Sequence, residues 1–221
     1  VIGAEAISPI MDWQNRDVAV LFGDGAAALY LEASTEAEGV LAESLGCFGD
    51  ARDILAVEGW GMKYANQRRV LGQASWAFIG QEIFKKAVAG MAQACVKTLD
   101  KLSFSAQDLD LVVPHQANLR IIDSLAKKLN LPKDKVFINI EKYGNMSAAT
   151  ALVAFVEAIE QGKVAANSHI LLPAFGGGLT WSAHLVKFGD RTQAIAQSGI
   201  ELPECDKTGL MLVLDIIARK A

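Results

Sequence analysis

Apolar residues recur in two different rhythms along this chain, and the rhythm changes at its glycine- and proline-rich corners. Within 73–99, Ile79, Ile83, Ala87, Met91 and Cys95 stand four apart, which predicts a long helix with one buried stripe. A shorter helix is predicted over 118–130, with Ile122, Leu125 and Leu129 facing inward. An alanine-rich helix is predicted over 147–161, and Gly162 follows where a left-handed residue ends a helix most easily. Ser105-Ala106-Gln107-Asp108 reads as a capped turn, with the serine hydroxyl free to accept a backbone N–H. Short apolar runs over 109–113, halted by Pro114, and over 136–140 read as buried strands. Strands alternating with helices predict an α/β protein, its largely parallel sheet covered on both faces.

Two further segments share one plan. Residues 18–34 and 169–188 each read as an apolar arm, a Phe-Gly-rich corner and a second arm, with Phe22 and Phe175 in equivalent places. Self-similarity at so long a period predicts a duplicated domain, most of whose first copy is expected upstream of Val1. The expected organisation is therefore a tail of an N-terminal half over 1–45, a loop or flap over 46–72 and a C-terminal half over 73–189. An appended extension follows over 190–221, a polar linker through Leu202-Pro203 and an amphipathic helix over 206–220.

Composition narrows the class. Among 221 residues, 52% hydrophobic with 19 Gly and only 5 Pro describes a globular chain rather than a disordered one. A net charge of −4 argues against the nucleic-acid backbone as the main partner. No apolar run reaches the ~18 residues of a membrane helix. The three cysteines, Cys47, Cys95 and Cys205, are too few and too scattered for a disulfide framework or a metal ribbon, so a reducing, cytoplasmic setting without a metal is expected.

Three corners carry candidate chemistry. Pro114-His115-Gln116-Ala117-Asn118 lies where a strand gives way to a helix, the place where open α/β sheets bind ligands. By itself His115 reads equally as a structural corner or a catalytic group, and Asn118 as the cap of the next helix. Gly144-Asn145-Met146-Ser147 makes a second such corner, in which Asn145 is either a helix cap or a neutral donor toward an oxyanion. Phe175-Gly176-Gly177-Gly178 is either a plain tight hairpin or a place where bare N–H groups face a substrate oxygen. It lacks the spacing of a phosphate loop.

Taken together and in order, FGDGAAA, LVVPHQANLRII, YGNMSAA and AFGGGLTW resemble the β-ketoacyl-acyl carrier protein synthase III family of thiolase-like condensing enzymes, over Val1 to about Phe188. The resemblance implies a layered α-β-α-β-α fold, of which this chain holds the second half and the end of the first. It implies a decarboxylating Claisen condensation between an acyl-CoA primer and malonyl-acyl carrier protein, with coenzyme A thioester as substrate and no cofactor. His115 and Asn145 look like the pair that holds the malonyl thioester carbonyl, Gly177 like the oxyanion-hole residue of acyl transfer, and Phe175 like the aromatic beside the reactive thiol. Phe78, Gly80, Gln81, Phe84 and Asn118 resemble the lining of the pantetheine tunnel, where Gly80 leaves space that a side chain would fill. Arg16 resembles the arginine at the nucleotide end of coenzyme A. Lys85, Arg120, Lys127 and Lys128 correspond to the basic patch that docks the acidic carrier protein, and a homodimer is expected.

Departures from the family pattern are Met146 in place of a usual threonine, expected to alter the pocket, and Trp181-Ser182-Ala183 in place of Trp-Gly-Ser. No cysteine stands where the family's acyl-accepting thiol belongs, at the start of a buried helix, so that thiol is expected upstream. Cys95 reads as core. The chain is then part of a longer enzyme, one chain of a split enzyme, or a non-catalytic carrier-binding subunit. Related polyketide or quinolone condensing enzymes share the same motifs.

Overall fold

Residues 1–58, 75–192, 199–201 and 203–218 are described from a computed structural model of the chain. In chain order the elements are β1 (Ile2–Glu5), α1 (Arg16–Ala19), β2 (Gly25–Ala28), β3 (Gly39–Cys47), β4 (Leu55–Glu58) and β5 (Ser75–Phe78). There follow α2 (Gly80–Asp100), β6 (Leu111–Val112), α3 (Leu119–Lys128), α4 (Ile140–Tyr143), α5 (Thr150–Glu160), β7 (His169–Gly176), β8 (Thr180–Lys187) and α6 (Gly209–Ala218).

Four strands form the main sheet in the order β3-β8-β7-β6. Only β6 and β7 run parallel, with Leu111 opposite Ile170 and Val112 opposite Leu171; β8 is antiparallel to both its neighbours. The sheet is thus mixed rather than largely parallel, because the β7–β8 hairpin and β3 extend it without crossovers. Successive side chains on a strand face opposite ways. Val112 and Leu171 join one core with Met91 and Cys95 of α2 and Leu125 of α3. Leu111 and Ile170 join another with Ala154, Phe155 and Ala158 of α5. The α/β architecture is therefore helix, sheet, helix, with the carboxyl end of β6 opening between the layers.

Several expected elements fall elsewhere. The stripe over 73–99 is helical only from Gly80; Ser75–Phe78 pairs as a strand with Leu55–Glu58, and Ile79, 49% exposed, stands before the first turn. Residues 18–34 do not form a hairpin. The Asn15 side chain accepts the Asp17 N–H and starts a short helix, Phe22 makes an isolated bridge, and β2 pairs with β1. The run 136–140 contributes only a bridge from Val136 to Val112, because Asn139 turns its polar groups inward. In the stretch 46–72, Gly46 and Cys47 end β3, a 3-10 turn spans Gly49–Ile54 and β4 follows; its remaining positions, 59–72, lie outside the described residues. So do 73–74 of the expected helix and 193–198, 202 and 219–221 of the extension, where α6 begins at Gly209 rather than 206. β3 has no counterpart among the expected strands.

Other expectations hold. Ser105 and Asp108 form the reciprocal cap, Asn118 caps α3, and Gly162 has φ +69° beyond the end of α5. Among the described residues no helix is long and apolar enough to cross a membrane.

Candidate active site

Pro114 ends β6 and hands the chain to His115, whose N–H donates to the Pro173 carbonyl of β7 at 2.8 Å. That bond fixes His115 at the carboxyl edge of the parallel pair. Its ring is buried, with Nδ1 hydrogen-bonded to Thr150 Oγ1. Burial penalises the charged form and pushes the imidazole pKa down to about 4, so the ring is neutral near pH 7.

Asn145 is delivered by a sharper device. Gly144, at φ +67°, ends α4 in a conformation that favours glycine. The Asn145 N–H donates to Leu21 C=O at 2.8 Å, and the Gly23 N–H donates to Asn145 C=O at 3.0 Å. The Ser147 N–H donates to Asn145 Oδ1 at 2.8 Å. Because an N–H can only donate, this identifies the side-chain oxygen and leaves Nδ2 as a donor without a partner among the described residues.

Both groups face one chamber of about 970 Å³, whose wall also carries Phe175 from the end of β7 and Gly177 from the β7–β8 turn. A second, smaller cavity of about 460 Å³ is lined by Gly80, Gln81, Phe84, Lys85, Asn118 and Arg120. Phe22, Phe78, Ala117 and Asn145 line both, so the two spaces meet beside Asn145. Aromatic contacts stiffen the junction: the ring centroid of Phe22 lies 4.9 Å from that of Trp76 and 6.5 Å, edge-on, from that of Phe78.

Not every expected residue joins. Arg16 is exposed and lines neither cavity. Lys127 and Lys128 occupy the last turn of α3, about 11 Å along its axis from Arg120, where their charge complements the helix dipole. Lys85 and Arg120 line the second cavity, and Lys127 and Lys128 do not. A Cβ on Gly80 would meet only the Phe78 ring at 3.4 Å, an ordinary contact, so Gly80 borders open channel space rather than a steric pinch. A Cβ on Gly177 would meet nothing within 4 Å. Met146 lines neither cavity; it is buried over Gly25, where a Cβ would lie 2.2 Å from its sulfur. Its effect falls on the Phe22–Gly25 corner and not on the pocket wall.

Beneath the two corners runs a buried polar chain. Gln116 Nε2 donates to Pro114 C=O at 2.8 Å, and its Oε1 accepts the Asn139 N–H at 3.1 Å. Asn139 Nδ2 donates to Glu157 Oε2 at 2.7 Å, and Lys142 Nζ donates to Glu157 Oε1. Lys142 first, then Asn139, hold the Glu157 carboxyl below its ordinary pKa. The chain links the His115 loop to α4, whose C-cap Gly144 immediately precedes Asn145.

Comparison with known proteins settles the family. The model for "3-Oxoacyl-[acyl-carrier-protein (ACP)] synthase III" matches residues 1–49, and that for the C-terminal part of the same enzyme matches residues 99–188. The chain belongs to the 3-oxoacyl-[acyl-carrier-protein] synthase III family. A Vibrio vulnificus relative named beta-ketoacyl-[acyl-carrier-protein] synthase III 2 is 47% identical over 217 residues, 98% of this chain. The chain spans only 60% of that relative's length. Crystal structures of synthase III from Aquifex aeolicus (42% identity, covering 85% of this chain and 57% of that one) and Thermus thermophilus (37%, covering 86% and 58%) superpose with TM-scores of 0.77 each.

Within this synthase III fold, the sequence motifs found both corners and most of the second cavity but missed Thr150 and Trp76, and Cys47 was considered only as a thiol and set aside. Thr150 opens a helix and Trp76 precedes one, so neither has a local pattern that signals a cavity wall. Cys47, at the end of the unforeseen β3, also lines the chamber.

Proposed function

We propose that this chain forms the malonyl-binding and condensing part of a β-ketoacyl-acyl carrier protein synthase III. That enzyme would join an acyl primer, delivered as acyl-CoA, to malonyl-acyl carrier protein with loss of carbon dioxide, opening fatty-acid synthesis. The observation that carries the reading is the placement of two neutral polar side chains, His115 and Asn145, on the wall of one chamber where a second, smaller cavity meets it.

In the proposed step the malonyl thioester carbonyl lies between them. The bond from C2 to the carboxylate breaks, carbon dioxide leaves, and the electron pair becomes an enolate with its charge on the thioester oxygen. Donors fixed before that charge appears stabilise it best. A protonated imidazole would also hold the departing carboxylate, so the neutrality imposed on His115 by burial suits the task. The enolate carbon then attacks an enzyme-bound acyl thioester; a carbon–carbon bond forms and the thiolate leaves. The Gly177 N–H is assigned to the oxyanion of the acyl-transfer half-reaction that loads the primer onto that thiol, and Phe175 to the space beside it. Because the electron pair passes from carbon to carbon, the condensing step calls for no redox cofactor.

The acyl-accepting thiol is proposed to come from outside this chain. Burial pushes the Cys95 thiol up to about 12, and Cys205 lies in the extension. Cys47 ends a strand rather than starting a helix, where the dipole favours thiolate. The channel of Phe78, Gly80, Gln81, Phe84 and Asn118 is assigned to the carrier's pantetheine arm, and Lys85 and Arg120, with Lys127 and Lys128 farther off, to its acidic surface. Arg16 is assigned to the nucleotide of coenzyme A. A cytoplasmic setting and a homodimer belong to the same proposal; exposed Ile2, Tyr30 and Leu31 offer apolar surface for the rest of the assembly. Carbon dioxide release by variants at His115 and Asn145 tests the reading.

A further inference from the structure

His115 can serve as a donor to an enolate oxygen only if its single ring proton sits on the nitrogen that faces the chamber. Thr150, fully buried at the start of α5, has its Oγ1 against His115 Nδ1 and 3.0 Å from the Ser147 carbonyl. One hydroxyl proton thus has two candidate acceptors. Given to Ser147 C=O, it leaves a lone pair toward the ring; Nδ1 must then carry the ring proton, and Nε2 becomes a bare acceptor that repels an oxyanion. Given to Nδ1, it places the ring proton on Nε2.

What the ring must offer the chamber chooses between these. The Ser147 carbonyl also accepts the backbone N–H of Thr150, so it keeps a partner in either arrangement. Nδ1 has no partner other than Thr150 among the described residues. Nε2 makes no hydrogen bond among them and is not one of the buried unpaired atoms, so it is the ring nitrogen open to the chamber. Both arrangements leave the buried groups partnered, and only the second offers the chamber a donor.

We propose that Thr150 is a positioning residue that fixes the tautomer of His115: its hydroxyl donates to Nδ1 and thereby keeps the ring proton on Nε2. The inference rests on the reading of His115 as a donor to the malonyl-derived enolate. It makes Thr150 part of the condensing machinery without contact with the reacting atoms.

The test uses the complete enzyme containing this chain, labelled with ¹⁵N-histidine, together with Thr150→Val, which keeps the shape and removes the hydroxyl, and Thr150→Ser, which keeps the hydroxyl. In the wild type the His115 Nδ1 resonance is expected in the unprotonated, hydrogen-bond-accepting range and Nε2 in the protonated range. Thr150→Val is expected to mix the tautomers. It should lower kcat for carbon dioxide release from malonyl-acyl carrier protein about 10- to 100-fold, less than outright loss of an oxyanion donor. KM should stay within about twofold, and Thr150→Ser should recover most of the rate. A wild-type His115 protonated on Nδ1 overturns the proposal even if the valine variant does not fold. So does a Thr150→Val enzyme of wild-type rate when His115→Ala is inactive. If His115→Ala itself releases carbon dioxide normally, it is the function of the site that fails.

Discussion

Phe22 and Asn145 form a parallel bridge that ties the two family segments of this chain together at the candidate site. Leu21 and Gly23, on either side of Phe22, take up both backbone hydrogen-bonding groups of Asn145. The asparagine is therefore held from above by the Phe22 corner and from within by the Ser147 N–H on its Oδ1. With its backbone and amide oxygen committed, only Nδ2 is left for a ligand. That is how a loop residue acquires the fixed position that electrostatic catalysis requires.

Gly23 is the weak point of this clamp. A Cβ there would lie 2.2 Å from the Tyr143 carbonyl oxygen, so the backbone on one side must move. Gly23→Ala is expected to cost about 1–3 kcal/mol of stability in urea unfolding. It should also lower kcat for carbon dioxide release more than it raises KM for the malonyl substrate. An alanine variant with unchanged stability and rate would show that the clamp is not what positions Asn145.

Acid should destabilise the protein through His115. An unfolded histidine gains a proton as pH falls below about 6.5, whereas the buried one resists until about 4. Within that window the unfolded state binds more protons, so stability falls with falling pH, by about 3 kcal/mol across the shift. Glu157 acts in the same direction lower down: its depressed pKa gives stability that is present above the ordinary carboxylate range and lost as pH drops through its folded value. Urea midpoints at pH 7 and pH 4.5 should differ less for His115→Ala than for wild type. An equal pH dependence in both would contradict a neutral buried ring.

The two basic groups should behave differently. Lys85→Glu and Arg120→Glu, which alter the channel lining, are expected to raise KM for malonyl-acyl carrier protein about tenfold, with that effect shrinking in high salt. Reversing Lys127 and Lys128 should raise it less and cost helix stability instead, since they sit at the negative end of α3. KM for the acyl-CoA primer should barely change with any of them. Equal increases for both substrates would argue against carrier docking.

What was legible in the sequence follows from where the information lies. The stripe of Ile83, Ala87, Met91 and Cys95 and the caps at Asn118 and Ser105 are local, and the structure repeats them. The corners at His115 and Asn145 were legible as motifs because their proline, glycine and polar residues are needed within a few positions of one another. The strand Ser75–Phe78 was hidden inside a helical period, since its partner Leu55–Glu58 is distant and the pairing overrides local propensity. The first Phe-Gly corner looked like a hairpin because its apolar arms are ambiguous over so few residues. Its true partner is Asn145, far along the chain, and no local pattern names it. Thr150 was invisible for the same reason: its partner His115 comes from another element of the fold.

The most direct measurement follows both half-reactions in one complete enzyme carrying His115→Ala, and in another carrying Asn145→Ala. Carbon dioxide release from malonyl-acyl carrier protein and transfer of the acyl group from acyl-CoA to the enzyme thiol are recorded side by side. Carbon dioxide release is expected to fall by about 10²-fold or more in each variant, as for loss of a preorganised oxyanion donor, while acylation stays near the wild-type rate. Acylation lost with decarboxylation intact would contradict the roles given to His115 and Asn145.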